Sequence, residues 1–275
     1  MLEHDIAFLK GDQQAMERAV ARARERSGGD AWISNKEAYA LAYAGQLKKA
    51  RASSQRAMDQ AMQESQPERA GLWQAGESLR EAFFGNTSQA KERAVAALKL
   101  SNNREVEFGA ALALALSGED GRAQPLVDDL ERRFPEDTVV RFSYLPVLRA
   151  RAVLNRGDAA KAIELLQSAV PYELGSSRLL FGALYPIYER GEAHLVAHQG
   201  TEAAIQFQKI LDHRGVVGSD PIGALAHLQL GRAQALSGDK IKAKAGYQAF
   251  FTLWKNADPD IPILEQAKAE YAELQ

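Results

Sequence analysis

The sequence contains no cysteine, and this absence removes several kinds of chemistry at once. Without a thiol the chain cannot form disulfide bonds, use a thiolate nucleophile or bind a metal through sulfur. The absence does not fix the compartment, because a cysteine-free domain is at home in reducing and in oxidising surroundings. The fold must therefore rest on a hydrophobic core, and 275 residues are enough to bury a large one.

Long apolar runs and a strong net charge are also missing. The longest apolar stretch, residues 110–116, ends at Ser117 and Gly118, far short of the roughly 18 residues that a membrane helix needs. The start of the chain lacks a basic region followed by an apolar one, so no signal peptide is expected. A formal net charge of -2 gives no bulk electrostatic reason to expect nucleic acid or an anionic membrane. We expect neither as a direct partner.

Residues 223–254 contain the clearest structural unit of the chain. Apolar residues recur at helical spacing on both sides of a turn at Gly238, which predicts two amphipathic helices. Gly231 lies in the middle of the first helix, where glycine costs about 1 kcal/mol relative to alanine. We expect it there because the backbone passes close to the small side chain of Ala243 on the second helix. The unit is predicted to be an antiparallel helical hairpin.

The same pattern recurs along the whole chain, which predicts a repeat protein. Five copies have a turn glycine, an alanine five residues later and a small residue seven residues before the turn, and two further copies are looser. One helical hairpin with its connection needs about the observed spacing of 33 to 42 residues. The turns are expected near residues 11, 45, 85, 118, 157, 199 and 238.

This combination of small residue, turn glycine and alanine resembles the tetratricopeptide repeat (TPR). The resemblance implies an all-α fold, a right-handed α-solenoid of about seven TPR-like hairpins in a single domain over residues 1–275. Each hairpin in such a stack leaves an apolar face that only its neighbour can cover. The charged final helix, residues 263–274, is expected to cap the stack.

Three longer segments resemble a more specific family, namely residues 191–215, 221–239 and 257–274. They are similar to the C-terminal TPR region of bacterial serine/threonine protein kinases and to some winged-helix regulators. This resemblance implies that the chain is one segment of a larger signalling protein, with any kinase domain outside it. It implies no catalysis here, because the glycine-rich loop, the HRD-type loop and the DFG motif of kinases are absent from the sequence.

Aromatic and arginine side chains on the first helices are the candidate partner-binding residues. The first helices of a TPR stack line its concave groove, and aromatic and arginine residues are favoured at binding hot spots. We therefore expect a protein or peptide segment to bind in the groove. The candidates near groove-facing positions are Tyr144, Arg151, Tyr188, Arg190, His194 and Arg232.

No set of residues converges on catalysis, a cofactor or a metal. His194 and His198 stand four apart on a predicted helix, but the glutamate of an HExxH motif and a third ligand are missing. The basic stripe Arg18, Arg22 and Arg26 is accompanied by glutamates and has no aromatic residue to stack on bases. We predict no catalytic residue, no cofactor and no metal.

The sequence as a whole favours a non-catalytic, peptide-binding TPR scaffold, the regulatory or sensory segment of a larger bacterial signalling protein. Two alternatives stay open: a self-association module that forms a homo-oligomer, and a small-molecule sensor with its ligand near the irregular stretch 212–221. The compartment is not fixed. A cytoplasmic location is favoured, and an extracytoplasmic one fits a parent protein with an upstream transmembrane helix.

Overall fold

The computed structural model describes residues 2–25, 29–175 and 184–274, and within these ranges the chain is built from helices and their connections. This confirms the predicted all-α class. None of the described helices combines the length and the apolar content needed to cross a lipid bilayer. A π-helical turn, Val140–Tyr144, leads into α9, and a 3-10 turn, Leu166–Ala169, follows α10. The helices are α1 Leu2–Lys10, α2 Gln13–Arg24, α3 Gly29–Tyr43, α4 Leu47–Gln63, α5 Pro67–Phe83, α6 Thr87–Leu100, α7 Arg104–Leu116, α8 Asp120–Arg133, α9 Leu145–Leu154, α10 Ala159–Leu165, α11 Tyr185–Val196, α12 Gly200–Asp212, α13 Arg214–Val217, α14 Pro221–Leu236, α15 Lys240–Leu253 and α16 Pro262–Glu273.

Successive helices pair as antiparallel hairpins because the same tight turn joins them. At Gly45 the backbone enters the left-handed region with φ +72°, and the amide of Gln46 donates to the carbonyl of Leu41 at 2.9 Å. This bond belongs to the Schellman motif, which ends a helix and reverses the chain. Glycine suits the position because it has no Cβ to clash at positive φ. Left-handed glycines stand at the turns Gly11, Gly45, Gly85, Gly118, Gly157 and Gly238.

The sixth turn lies at His198, one residue before the position that the repeat spacing indicated. His198 takes the left-handed conformation with φ +57°, and the amide of Gln199 donates to the carbonyl of His194 at 2.9 Å. Gly200 is the first residue of α12. The alanine five residues after the turn is therefore Ala203, and it is fully buried.

Two connections between hairpins also have regular structure. Ser65 takes a left-handed φ of +56°, and the amide of Gln66 donates to the carbonyl of Ala61 at 2.8 Å, so α4 and α5 are joined by the same turn. The stretch 212–221, which was expected to be irregular, contains the short helix α13. Val217 of that helix is buried.

The helices of the last hairpin cross closely at Gly231. A Cβ added there would lie 3.0 Å from a ring carbon of Tyr247 and 3.2 Å from the carbonyl oxygen of Ala243. The other small residue at the crossing is Gly246, whose added Cβ would lie 2.7 Å from the Cα of Gly231. The sequence predicted the close approach at Gly231 but missed Gly246. The two glycines allow α14 and α15 to pack backbone against backbone.

The first helices of the hairpins form an inner layer, and this layer closes on itself. Helices α5, α7 and α14 are buried almost all round, whereas their partners α6, α8 and α15 bury one face only. Along the stack α5, α7, α9, α11 and α14 pack side by side, and α14 also packs against α3 and α5. The chain therefore forms a ring of hairpins with little open space at its centre. The right-handed sense of the winding stays a prediction.

Aromatic side chains fill the interior of the ring. Phe83 meets Tyr185 and Tyr188 edge to face, with ring centres 5.4 and 5.6 Å apart, and Phe108 stacks on Tyr144 at 3.8 Å. None of these five side chains is more than 7% exposed. Such ring pairs contribute about 0.5–1.5 kcal/mol each beyond their burial. Much of what the sequence indicated as a concave surface is therefore core.

Candidate functional site on the inner helices α9, α11 and α14

Charged side chains occupy equivalent positions on three neighbouring inner helices, six residues before the left-handed residue of each turn. We call them the inner row. Four residues further along the chain, at the end of each helix and on the same face, lie three uncharged side chains, which we call the outer row. The inner row is Arg151, Glu192 and Arg232, and the outer row is Asn155, Val196 and Leu236.

Polar contacts join the inner row from one helix to the next. The Nη2 of Arg151 lies 2.8 Å from Oε2 of Glu192. The other carboxylate oxygen of Glu192 accepts from the amide nitrogen of Gln229 at 2.5 Å. The amide oxygen of Gln229 in turn accepts from Nη1 of Arg232 at 3.3 Å. A glutamine amide donates at one end and accepts at the other, so Gln229 links a carboxylate to a guanidinium.

Two further glutamates complete the network at its ends. Glu189, which is 1% exposed, lies 2.6 Å from Nη2 of Arg151. Glu270 of α16 accepts two hydrogen bonds from Arg232, both of 2.8 Å, and a third of 2.8 Å from the hydroxyl of Tyr247. A two-pronged arginine–carboxylate pair fixes the orientation of both groups. The row is thus held in place by the protein itself.

Burial and neighbouring charges act on the pKa values of this network in opposite directions. Burial raises the pKa of Glu189, although the guanidinium of Arg151 opposes the rise. Burial alone would lower the pKa of Arg151, but the carboxylates of Glu189 and Glu192 outweigh it and raise that pKa. The pKa of Arg232 is raised for the same reason, with Glu270 outweighing burial. Both arginines therefore remain charged throughout the physiological range.

The outer row faces solvent, whereas in the inner row Arg151 is buried and Glu192 and Arg232 are half-buried. Val196 is 48% exposed and Leu236 is 41% exposed, and Asn155 is exposed as well. The side chains of Glu192 and Arg232 are 22% and 18% exposed. A molecule that approaches this face meets aliphatic groups and, beside them, charges that are already fixed in direction.

Three of the six residues expected to bind a partner come together in this network. Arg151 and Arg232 belong to the inner row. Tyr188 reaches it through its hydroxyl, which accepts from the amide of Gln229 at 3.1 Å. The ring of Tyr188 is 2% exposed, so only the hydroxyl belongs to the polar network.

Tyr144, Arg190 and His194, also expected to bind a partner, do not join the network. Tyr144 is fully buried among the aromatic residues of the ring interior. Arg190 lies on another face of α11, where its Nη2 donates to Glu173 at 2.5 Å. Nδ1 of His194 lies 2.6 Å from the amide oxygen of Gln199 in the turn. The groove at Tyr144 is filled because the inner layer closes on itself, and Arg190 faces away because it is two residues from the row.

The two histidines considered as metal ligands do not share a helical face. Helix α11 ends at Val196, and His198 takes the left-handed turn position beyond it. Nδ1 of His194 is engaged with Gln199. In the ranges that the structure describes, no group of three or more histidine, aspartate or glutamate residues could hold a metal ion.

The sequence patterns did not indicate three residues of this network, namely Glu192, Gln229 and Glu270. With the sixth turn at His198, Glu192 takes the same position as the two arginines, so the repeat spacing could have found it once a left-handed histidine was allowed. Gln229 lies one helical turn before Arg232 and carries no signal of its own. Glu270 comes from α16, outside the repeated pattern.

A second polar cluster lies where α14 returns to α3 and α5. The guanidinium of Arg80, a residue only 1% exposed, sits 4.6 Å from the ring centre of Tyr39 and donates to the hydroxyl of Ser54 at 2.5 Å. Nearby, the hydroxyl of Tyr185 donates to the carboxylate of Asp220, the N-cap of α14, at 3.0 Å. Burial raises the pKa of Asp220 to about 6, although hydrogen bonds and the charge of Arg80 oppose the rise.

No protein-family model and no curated protein matches the sequence. Among solved structures, the chain is similar to the crystal structure of the yeast Tom70, with a TM-score of 0.48 and 14% sequence identity. The match covers 98% of this chain and 59% of the Tom70 chain, so this chain spans less than two thirds of the length of Tom70 in that structure.

Proposed function

We propose that the protein is a non-catalytic scaffold that binds a protein or peptide segment across the inner and outer rows. The proposal rests on one observation. Equivalent positions on three neighbouring helices carry fixed charges in the inner row, and two of the three carry exposed aliphatic side chains in the outer row. A repeated arrangement of this kind suits a partner that extends across several hairpins.

The spacing of the hairpins favours an extended partner. Packed helices lie about 8–10 Å apart, and an extended chain advances about 3.3 Å per residue. A bound segment would therefore meet one hairpin with about every third residue. Because Gln229 and Glu270 already orient the inner row, little side-chain freedom would be lost when a partner binds.

The aliphatic residues of the outer row set the size of the expected contribution to the binding free energy. Val196 and Leu236 are a little under half exposed. Full burial of such side chains is worth about 1.5–3 kcal/mol each. Covering the exposed part therefore contributes about 1 kcal/mol each, or about 2 kcal/mol together. By the relation of about 1.4 kcal/mol per tenfold change, losing both weakens binding roughly 30-fold.

Peptides selected from a random display library against the wild-type protein provide the test. Their affinities are measured by fluorescence anisotropy for the wild type and for the double variant Val196→Ala, Leu236→Ala. The matched control is Ile205→Ala, Ile241→Ala, since these residues are 59% and 84% exposed and lie on the outer helices α12 and α15. We expect a 10- to 30-fold loss for the row variant and none for the control. Unchanged affinity of the row variant, or an equal loss in the control, would rule out this site.

The wider setting is also a proposal, namely that the chain is the regulatory or sensory segment of a larger bacterial signalling protein. It is supported by the three segments that resemble the C-terminal TPR region of bacterial serine/threonine kinases and winged-helix regulators. The test is the reading frame that encodes the chain. A kinase or winged-helix domain in the same frame supports the proposal, and a frame that encodes only these hairpins contradicts it.

A self-association module is the second candidate, and one surface favours it. On α1 the side chains of Leu2, Ile6 and Leu9 are 73%, 45% and 37% exposed, and their spacing places them on one helical face. Light scattering across a concentration series tests this candidate. A dimer that is lost in Ile6→Asp supports it, whereas a monomer at all concentrations excludes it.

A further inference from the structure

Residues 254–263 comprise the connection from α15 to α16 and the first two residues of α16, and they lie against turns from the other end of the chain. The amide of Asp258 donates to the carbonyl of Gly45 at 3.0 Å, and the amide of Ile263 donates to the carbonyl of Phe84 at 3.2 Å. The segment thus touches both the turn between α3 and α4 and the turn between α5 and α6. We call residues 254–263 the clasp.

The clasp supplies a helix cap that α4 lacks. The N-cap of α4 is Gln46, whose side chain makes no capping bond. Instead, the amide of Lys48 donates to Oδ2 of Asp258 at 2.7 Å. An aspartate in this place satisfies a free amide and complements the positive end of the helix. Where another described helix has a side-chain cap, its own N-cap residue supplies it, as Asp239 does for α15 by accepting from the amide of Lys242 at 3.0 Å.

A single indole anchors the other end of the clasp. Trp254 is 3% exposed, and its Nε1 donates to the carbonyl of Tyr43 at 3.0 Å. Its ring meets that of Phe84 edge to face at 5.0 Å. Gly45 passes so close that an added Cβ would lie 2.8 Å from the indole. The indole, the cap and these backbone bonds are contacts that the clasp adds to the join between α14 and helices α3 and α5.

The join at the clasp differs from the other joins in the ring. Helix α14 packs along most of its length against α12 of the preceding hairpin, but meets α3 and α5 over a short length. The contact there is supplemented by the clasp, much of which is polar. We propose that residues 254–263 are a releasable clasp and that the ring opens at this join before the hairpins separate elsewhere. The proposal goes beyond the binding function and does not depend on it.

Hydrogen exchange of the full chain tests the clasp with a matched pair of variants. Asp258→Ala removes the cap supplied from the far end of the chain, and Asp239→Ala removes a capping carboxylate that acts within one hairpin. We expect Asp258→Ala to speed amide exchange at least tenfold in residues 39–50 and 80–86. The acceleration in Asp239→Ala should be confined to the first turn of α15. Asp258→Asn should stay close to the wild type, because asparagine caps almost as well.

Two results would overturn the proposal. One is unchanged exchange at residues 39–50 in Asp258→Ala. The other is equal acceleration there in Asp239→Ala, which would mean that any lost cap loosens the whole ring.

A cross-linking measurement on the wild-type protein needs no variant. Nζ of Lys48 lies 3.1 Å from Oδ1 of Asp260 in the clasp, and Nζ of Lys91 lies 2.9 Å from Oε1 of Glu119 between neighbouring hairpins. A zero-length carbodiimide reagent should couple both pairs in buffer. As urea is raised, coupling of Lys48 to Asp260 should fall at a lower concentration than coupling of the reference pair. Simultaneous loss of both products would show that the ring opens only when the whole protein unfolds, and would refute the clasp.

Discussion

Replacing Gly45 by alanine, and comparing the result with the same change at Gly118, separates the energy of the contact at the clasp from the strain of a left-handed turn. Gly45 and Gly118 occupy the same kind of turn, with φ of +72° and +77°, and a Cβ in that region costs about 1–2 kcal/mol. A Cβ on Gly118 would have nothing within 4 Å. On Gly45 it would lie 2.5 Å from the Cβ of Ala257 and 2.8 Å from the ring of Trp254.

The difference in unfolding free energy between Gly45→Ala and Gly118→Ala therefore measures the cost of crowding Ala257 and Trp254. Overpacking a tight contact costs about 1–3 kcal/mol. We expect Gly118→Ala to lower the free energy of unfolding by about 1–2 kcal/mol, and Gly45→Ala by about 2–5 kcal/mol, the sum of both effects. Gly85→Ala should fall between them, because its added Cβ would lie 3.1 Å from Pro262 at φ +87°.

Urea unfolding followed by far-ultraviolet circular dichroism gives these free energies, and tryptophan fluorescence gives a second probe. The midpoint is compared at constant slope, since a change in slope signals a change in the unfolding reaction itself. Gly157→Ala serves as a second turn without neighbours, with φ +84° and nothing within 4 Å. Equal losses for Gly45→Ala, Gly118→Ala and Gly157→Ala would refute the reasoning, because the turn at Gly45 would then not touch the C-terminal segment in solution.

Three further predictions concern single side chains. The pKa of Asp220 is about 6 in the folded protein against an ordinary 3.8. Its carboxylate therefore costs stability that grows as pH rises from 4 to 6, about 3 kcal/mol at most. We expect Asp220→Asn to flatten that part of the stability profile measured by urea unfolding, and identical profiles would contradict the assignment. Glu270→Gln should cost about 1 kcal/mol by loss of its charged pair with Arg232, measured by thermal unfolding, whereas Glu265→Gln on the exposed face of the same helix should cost nothing measurable. Gly191→Ala should cost about 1–3 kcal/mol in urea unfolding, because its added Cβ would lie 2.6 Å from the ring of Phe207. Gly121→Ala, also helical but with nothing within 4 Å, should gain up to about 1 kcal/mol from helix propensity, and an equal effect of the two glycine changes would exclude the contact.

The local parts of the fold could be predicted from the sequence. A turn at Gly238 and a buried Ala243 follow from short-range rules, because a left-handed turn favours glycine and a close crossing favours small side chains. His198 shows the limit of those rules. It takes the same conformation as the turn glycines with φ +57°, and histidine predicts that conformation far more weakly than glycine does. The misplaced turn hid Glu192, and with it the regularity of the inner row.

The closure of the ring could not be predicted from the repeat pattern. Curvature accumulates from small rotations between hairpins, and no single hairpin encodes the total. Tyr144 and Tyr188 are typical groove residues by type and position, yet both are at most 2% exposed because neighbouring inner helices meet over them. The contact between Trp254 and Tyr43 joins residues that are 211 positions apart, which no short-range pattern reports.

The meeting of the last hairpin with α3 and α5 also fixes how many repeats the chain can hold. An open solenoid can gain or lose a unit, since each unit touches only its neighbours. Here an inserted hairpin would carry Trp254 away from Tyr43 by about one helix-packing distance, 8–10 Å, and no rearrangement of one side chain spans that gap. We therefore expect related chains to vary in their loops and in α1 and α2, which precede the ring, but to keep the number of hairpins from α3 to α15 constant.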